Sequence, residues 1–502
     1  MKFYSRFILV IISAAILVSS FYGPGFLAWF CLVPFFIAIK HSRLGQTVLF
    51  SFILGLLYFA GVTFWFTEYS FIFWLPILVI LASYITILGI ALYYINAKIK
   101  SNSLRIILIS AAWMAVEFFR SRTFLAFPWG LLAYSQHDYL KVMQIAGITG
   151  VYGMSLILII ANTALAETAA GITGERRFDP GKFKYVLPVI GLVAIIAIYG
   201  AVNINQYKIK PEEGKSIDIA LVQTNITFDD KFEKDSGVLI PDPYNEGRYF
   251  REGTELVVYP ETVLWGTLER NETFGNWVKK TIKDEDLYFI TGQILWDDED
   301  NYYNTVNLYN PQGEVIGRYN KIHPLPCAEY MPYPDILFMF KFLNIAKTNI
   351  TPVTDFEMIG YPGKGKLGTN ICFESTLPLI SRTFRDRGAE AIFVFTDDAG
   401  FKESLASWHH VIFSRVRAIE NGCYVVHSSN MGVSAVIDPT GELKVRTPLA
   451  EKLVEYDRIY LNDNKTFYAK NGNIILYGYF GFAIIYLIIY LIIFRRKKEG
   501  LN

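Results

Sequence analysis

The chain has 502 residues, of which 52% are hydrophobic and 19% charged, with a formal net charge of +1. Soluble globular domains carry about 25% charged residues, which argues against a wholly soluble protein. The +1 is a cancellation: residues 205–472 hold 29 Lys and Arg against 39 Asp and Glu, and the remainder holds 18 against 7. A nucleic-acid binder that is basic along its whole length is excluded.

Apolar runs recur at 7–22, 24–39, 49–66, 71–97, 104–119, 142–166, 184–204 and 474–494. About 20 apolar residues cross the hydrocarbon core of a bilayer, so the pattern predicts about eight membrane spans. Only Gly23-Pro24-Gly25 parts the first two, a tight turn that predicts a short helical hairpin. A cleaved signal peptide is the rival reading of residues 1–20, but no clean small-x-small cleavage site follows and further spans do. The expected division is a membrane domain over 1–204, an α/β domain over 205–472, and a last span with a basic tail over 473–502.

Eight spans put both termini on one side. Segments on that side carry fifteen Lys and Arg, from Lys2 and Arg6 to Lys497 and Lys498, whereas short loops on the other carry Arg120, Arg122 and Lys141. By the positive-inside rule the termini are expected in the cytoplasm and the acidic block outside it. Glu117 falls inside the fifth run, just before RSRTFLAFPWGLLAYSQHDYLK (120–141). Intramembrane carboxylates face protein or a water-filled cavity. Two readings stand: an ion pair with Arg120 one turn on, or a substrate vestibule beside the outer leaflet.

From residue 216 the texture changes to short β-rich runs at 216–226, 254–260, 286–295, 304–310, 366–373, 389–395 and 423–429. Helix-like stretches at 271–283, 376–387 and 404–421 alternate with them. Turns at Pro311-Gln312-Gly313 and Asp438-Pro439-Thr440-Gly441 predict two hairpins. The alternation predicts a layered α/β domain of about 250 residues.

Four cysteines occur: Cys31, Cys327, Cys372 and Cys423. Cys31 lies in an apolar span and reads as a small buried hydrophobe. There is no Cys-x-x-Cys and no Cys/His ligand spacing, so no metal site is expected. Adjacent His409 and His410 cannot share one helix face, and His427 reads as a packed strand residue. Outside the cytoplasm Cys327 and Cys423 are open to pairing.

Cys372 ends the strand-like KLGTNIC just before FESTLPLISRTF, which begins a helix. At such a turn a thiol is exposed, and helix-start N–H groups lower its pKa and bind an oxyanion. Glu261 closes the strand in VVYPETVLW, and Lys321 follows a hairpin in GRYNKIHPLPCAEYMP, with Glu329 eight residues later. Taken singly, each reads as a surface ion-pair residue. Together they supply acyl-transfer chemistry: a carboxylate to take the thiol proton, a thiolate to attack a carbonyl, and an ammonium to hold the oxyanion.

YPET at Glu261, YNKIHPLPCAEYMP at Lys321 and NICFES at Cys372 resemble the Glu-Lys-Cys motifs of the nitrilase superfamily. VQTNI and RAIENGCYVVHSSNMGVSAVIDPTGE are similar to that superfamily's edge motifs, and FPW (127–129) and YSQ (134–136) resemble the membrane-loop signature of the bacterial apolipoprotein N-acyltransferases. The resemblance covers essentially the whole chain. It implies an α-β-β-α sandwich on a polytopic helical frame, with Glu261, Lys321 and Cys372 catalytic. It also implies supporting roles for Glu329 and Glu374, with Phe373 beside the nucleophile. The sequence departs from the family at Phe373, where tyrosine is common, at Phe232, and at DDAGFK (397–402).

The resemblance further implies a cofactor-free ping-pong transfer from a phospholipid donor to a diacylglyceryl-apolipoprotein acceptor, at the bacterial cytoplasmic membrane with the block on the periplasmic side. No nucleic acid is involved. The apolar stretch ILFMFKFLNIAK (336–347), with Phe338, Phe340 and Lys341, reads as a membrane-touching arm or as a core helix. A membrane-tethered amidase or nitrilase-type hydrolase is the alternative, since the same three residues serve both reactions. A transporter or receptor is poorly supported, because Glu68 and Glu117 are nearly the only charges within the spans. The DDAGFK departure keeps an inactive scaffold open as a third rival.

Overall fold

The computed structural model describes the chain except for residues 69–70, 123–125, 173–179, 210–214, 228–247, 327, 331–348 and 499–502; for 170–172, 180–182, 209, 272 and 496–498 it describes the backbone alone. The chain splits into two compact units, Met1–Asn205 with Asn471–Asn502, and Gln206–Lys470.

The first unit is helical. Its elements are α1 (Phe3–Tyr22), α2 (Val33–Ile39), α3 (Leu44–Val62), α4 (Phe71–Lys98), α5 (Asn102–Arg120), α6 (Leu140–Met143), α7 (Ala146–Ile172), α8 (Val186–Ile209) and the C-terminal helix Ile474–Lys498. Among the described residues seven helices are long and apolar enough to cross a membrane. The expected second span is not a regular helix. It is a 3₁₀ turn, Gly25–Trp29, followed by the seven-residue α2 with proline at its start. Pro34 lacks an N–H and opens a new helix instead of continuing one.

Irregular backbone at membrane depth needs polar partners, and side chains supply them. Asn162 accepts from the Leu32 N–H at 2.7 Å and donates to the Ala28 carbonyl at 2.8 Å. Gln136 donates to the Gly25 carbonyl at 2.6 Å and accepts from the Trp29 indole at 3.1 Å.

The broken segment nevertheless returns along the length of α1. Ser13 Oγ donates to the Cys31 carbonyl at 2.5 Å, and the Arg6 guanidinium donates to the carbonyls of Ala38 and, at 2.9 Å, Lys40. Lys40 and Arg105 share Glu167, each at 2.8 Å, and the Lys100 N–H donates to Tyr490 at 3.2 Å. The segments around 6, 40, 100 and 490 therefore meet at one end of the unit. With that return the chain traverses the unit eight times, seven of them, among the described residues, as helices of membrane-spanning length.

Of the two readings of Glu117, the ion pair with Arg120 is not formed: no ion pair joins them among the described residues. Arg120 donates to the carbonyls of Phe127, Trp129 and Gly130, the latter two at 2.6 and 3.3 Å. Glu117 accepts from the Leu132 N–H at 3.1 Å and the Trp113 indole at 3.0 Å. The two side chains divide the backbone of one loop between them, because its carbonyls and amides would otherwise be buried unpaired.

Among its described residues the second unit holds thirteen strands: β1 (Ser216–Gln223), β2 (Leu256–Val258), β3 (Leu264–Trp265), β4 (Tyr288–Trp296), β5 (Tyr302–Tyr309), β6 (Val315–Asn320), β7 (Ile359–Tyr361), β8 (Gly365–Ile371), β9 (Ala391–Thr396), β10 (Val425–Ser429), β11 (Ala435–Ile437), β12 (Leu443–Arg446) and β13 (Leu453–Tyr460). One sheet runs β13-β1-β2-β4-β5-β6 with β3 beside β4, and the other β12-β11-β10-β9-β8-β7. Their centres, β1-β2-β4 and β8-β9-β10, are parallel. β9 is buried at all six positions, as a strand covered on both faces should be.

Helix α9 (Glu272–Asp284) seats Phe274, Val278 and Ile282 with Val257, Tyr259 and Phe289 of the first sheet. Helix α11 (Ala406–Asn421) seats Val411 and Ala418 with Ile392, Val394 and Val425 of the second, and α10 (Pro378–Asp386) packs on β8 and β9. The sheets meet through β1 with β10 and β5 with β8. These are the four layers, α-β-β-α, that the resemblance implied.

Candidate active site

The parallel strands end together and so bring their following residues together. β8 pairs Ile371 with Phe395, and β10 pairs Ser429 with Thr396. Cys372, Asp397 and Asn430 therefore leave the second sheet at one edge. Glu261 follows β2, and Lys321 follows β6 with its N–H donated to the Asn304 carbonyl at 2.8 Å. The turn carrying Glu261 lies against Gly292, where an added Cβ would come within 2.6 Å of the Glu261 Cα.

Lys321 and Glu261 are buried. The Lys321 ammonium lies 2.8 Å from Glu329 Oε1 and 3.4 Å from Glu261 Oε1. Asn304 Nδ2 bridges the two carboxylates at 2.7 Å (Glu261) and 3.2 Å (Glu329). Glu261 Oε2 accepts from the Asp397 N–H at 2.7 Å, and Glu329 Oε2 from the Leu325 N–H at 2.6 Å. Burial raises the Glu261 pKa above the usual carboxylate range, and Glu329 and Asp397 add to the rise while Lys321 opposes it. Burial by itself would lower the Lys321 pKa, but Glu329 and Glu261 outweigh it and hold the ammonium firmly protonated.

Cys372 is half-buried and sits at φ +52°, a left-handed conformation that costs a non-glycine residue about 1–3 kcal/mol. A 3₁₀ turn, Cys372–Thr376, follows it before α10 begins at Pro378. The strand-to-helix turn is as expected, but the lowered thiol pKa is not. Burial pushes the thiol well above its ordinary value, and Glu261 raises it further against Lys321. The thiol therefore rests protonated, and a neighbouring base has to remove its proton.

Glu374 is fully buried and joins the two arms of the site. Its Oε1 accepts from the N–H groups of Ile322 and His323 at 2.8 and 2.9 Å, next to Lys321; its Oε2 accepts from the Ile371 N–H at 2.8 Å, next to Cys372. The Tyr319 hydroxyl donates to both oxygens. Phe373 is buried and stacks on His323 at 6.4 Å between ring centroids.

Sequence reasoning missed Asn304, whose only signal was its place at the start of a predicted strand. It treated DDAGFK as a departure, whereas Asp397 contributes its N–H to Glu261. It also treated His410 as one of an unpromising His-His pair, whereas His410 pairs with Asp398 at 2.9 Å. Cys423 is a buried free thiol, so the possible pairing with Cys327 finds no support. Phe338, Phe340 and Lys341, with the whole 336–347 stretch, and Phe232 and Cys327 lie outside the described residues.

Two family models match the chain: the apolipoprotein N-acyltransferase N-terminal domain over residues 13–164 and carbon-nitrogen hydrolase over 218–464. An apolipoprotein N-acyltransferase of Geobacter metallireducens is 26% identical over 98% of this chain and 96% of its own length. The chain belongs to the apolipoprotein N-acyltransferase family. Apolipoprotein N-acyltransferase 2 of Treponema denticola is 28% identical over 74% of each chain. Among solved structures, Saccharomyces cerevisiae Nit3, a member of branch 10 of the nitrilase superfamily, is 19% identical with a TM-score of 0.38, over 50% of this chain and 92% of that one.

Proposed function

We propose that this protein transfers an acyl chain from a membrane phospholipid to the α-amine of the N-terminal diacylglyceryl-cysteine of apolipoproteins, through a thioester on Cys372. The observation that carries this is the cluster of buried Glu261 and Lys321 with partly exposed Glu329, joined through the Asp397 N–H to the sheet edge that Cys372 leaves. In the first step Glu261 takes the thiol proton while sulfur bonds to the ester carbonyl carbon. Lys321 holds the oxyanion. The ester C–O bond then breaks, and the proton on Glu261 goes to the departing lysophospholipid oxygen.

In the second step the acceptor amine attacks the thioester carbonyl and gives a proton to Glu261. The C–S bond breaks, the amide forms, and the proton returns to the thiolate. No cofactor enters this ping-pong sequence. Glu329 holds the ammonium, and Glu374 sets the distance between the Lys321 and Cys372 arms.

Both substrates carry acyl chains, and lifting them from a bilayer costs ~0.8 kcal/mol per CH₂. Catalysis on a membrane-spanning frame avoids that cost. We place the protein in the bacterial cytoplasmic membrane with both termini in the cytoplasm and the second unit on the periplasmic side. The even number of passes and the fifteen Lys and Arg on one side support this. The 336–347 stretch, with Phe338, Phe340 and Lys341, is proposed as the arm that meets lipid.

The test is intact mass of the purified protein after incubation with phospholipid alone, wild type beside Cys372→Ala. An acyl-sized gain that hydroxylamine removes, absent from the variant, is expected. No gain rejects the transferase mechanism. Free fatty acid accumulating without an acceptor peptide identifies a hydrolase instead.

A further inference from the structure

Asp398, His410 and His427 form a buried cluster that the acyl-transfer steps above leave unused. Asp398 Oδ1 lies 2.9 Å from His410 Nδ1 and accepts from Thr396 Oγ1 at 2.8 Å. His410 Nε2 lies 3.1 Å from the main-chain carbonyl of Cys372 and 2.8 Å from Ser375 Oγ. Ser375 Oγ donates to the same carbonyl at 2.9 Å.

Both ring nitrogens of His410 lie within hydrogen-bond distance of oxygen partners, Nδ1 of Asp398 and Nε2 of Ser375 Oγ and the Cys372 carbonyl, while Ser375 Oγ donates to that same carbonyl. Three donor atoms within 4.8 Å also suggest a metal site. Both nitrogens of His410 are already engaged by oxygen partners of the protein, however. His427 completes the pocket, with Nδ1 at 2.8 Å from Ser414 Oγ and its ring edge-on to His410 at 5.0 Å. Burial and the neighbouring His410 hold the His427 pKa well below that of an ordinary histidine.

We infer that Asp398 and His410 are a positioning pair for the nucleophile: Asp398 orients the imidazole, which grips the Cys372 carbonyl and holds the left-handed turn that aims the thiol. A residue at φ +52° returns to common backbone conformations unless its surroundings prevent it. Rotation of that peptide moves Sγ away from Glu261 and Lys321, and misplacement by about 1 Å can cost about 100-fold in rate. This inference rests on Cys372 being the acylated residue.

The test uses the full chain in phospholipid, with wild type, Asp398→Asn, His410→Asn and His410→Gln compared by thermal midpoint and by rate of thioester formation. The asparagine amide reaches only the Nδ1 position, whereas the glutamine amide reaches the Nε2 position and the Cys372 carbonyl. His410→Asn is therefore expected to slow acylation roughly 10- to 100-fold, and His410→Gln to recover most of that loss at a similar midpoint. Equal rates for the two, or rates that simply follow the midpoints, overturn the pair. Should the His410 variants fail to fold, Asp398→Asn decides, since it preserves size: a full rate at an unchanged midpoint overturns the pair. A wild type that gains no acyl group fails the nucleophile assignment itself; a wild type that acylates while His410→Asn matches it fails the pair alone.

Discussion

The ammonium of Lys321 lies 2.8 Å from the carboxylate of Glu329, closer than the 3.4 Å that separates it from Glu261. The tighter partner spends most of the lysine's charge. Glu261 is left more weakly neutralised, and its proton affinity stays high enough to serve a thiol that burial also holds protonated.

Replacing Glu329 with Gln should release Lys321 toward Glu261 and weaken the base. Thioester formation measured in a single turnover is expected to fall roughly 10²-fold, the usual scale for a compromised acid–base step. The thermal midpoint should change little, because Glu329 is itself partly exposed.

Asp397 faces Glu261 with a negative charge and raises its proton affinity. Asp397→Asn removes that charge and keeps the N–H that Glu261 accepts. The Glu261 pKa then falls, so the acid limb of the pH–rate profile for acylation should move to lower pH. A limb that stays in place or moves upward would contradict the assignment of Glu261 as base.

Burial raises the Glu374 pKa to about 7, against the pull of the backbone N–H groups it accepts from. A carboxyl raised in the folded state binds protons that the unfolded chain has already released. Its contribution to stability is present below the unfolded carboxylate range and is lost as pH rises to about 7. Thermal midpoints of Glu374→Gln between pH 5 and pH 8 should lack that part of the wild-type decline. The variant should also lose acylation, since an amide cannot accept from donors on both arms.

Asn162→Leu keeps the branched shape of the side chain but strands the Leu32 N–H and leaves the Ala28 carbonyl with the weak Cys31 thiol donor. Unfolding of the protein in detergent should show a loss of about 1–3 kcal/mol, the cost of leaving buried polar groups unpaired. A neutral result would mean that water or another side chain satisfies the broken segment.

The strands at 216–223, 288–296 and 391–396 and the helices at 272–284 and 406–421 were legible because their apolar spacing answers to local geometry. β13 was not. LVEYDRIY alternates weakly and carries three charges, and it becomes a strand because β1 offers it eight paired positions. The second span failed in the opposite sense. Its composition is that of a membrane helix, but Pro34 and the side chains of Asn162 and Gln136 stabilise a broken path.

By itself the sequence determined the membrane-length helices, the charge asymmetry between the two blocks and the residue types able to carry acyl transfer, since hydrophobicity, net charge and functional groups belong to the residues themselves. Only the tertiary structure decided which of those groups meet. Glu261, Lys321 and Glu329 share one cluster, Glu374 ties Ile322 to Ile371, and His410 grips the carbonyl of Cys372. Apart from the local Glu374–Ile371 bond, those contacts span from 8 to 60 positions along the chain. They depend on where strands end and how sheets stack, which no local window of sequence records. The resting state of the thiol was decided in the same way: helix-start N–H groups would lower its pKa, but burial and the facing carboxylate of Glu261 prevail.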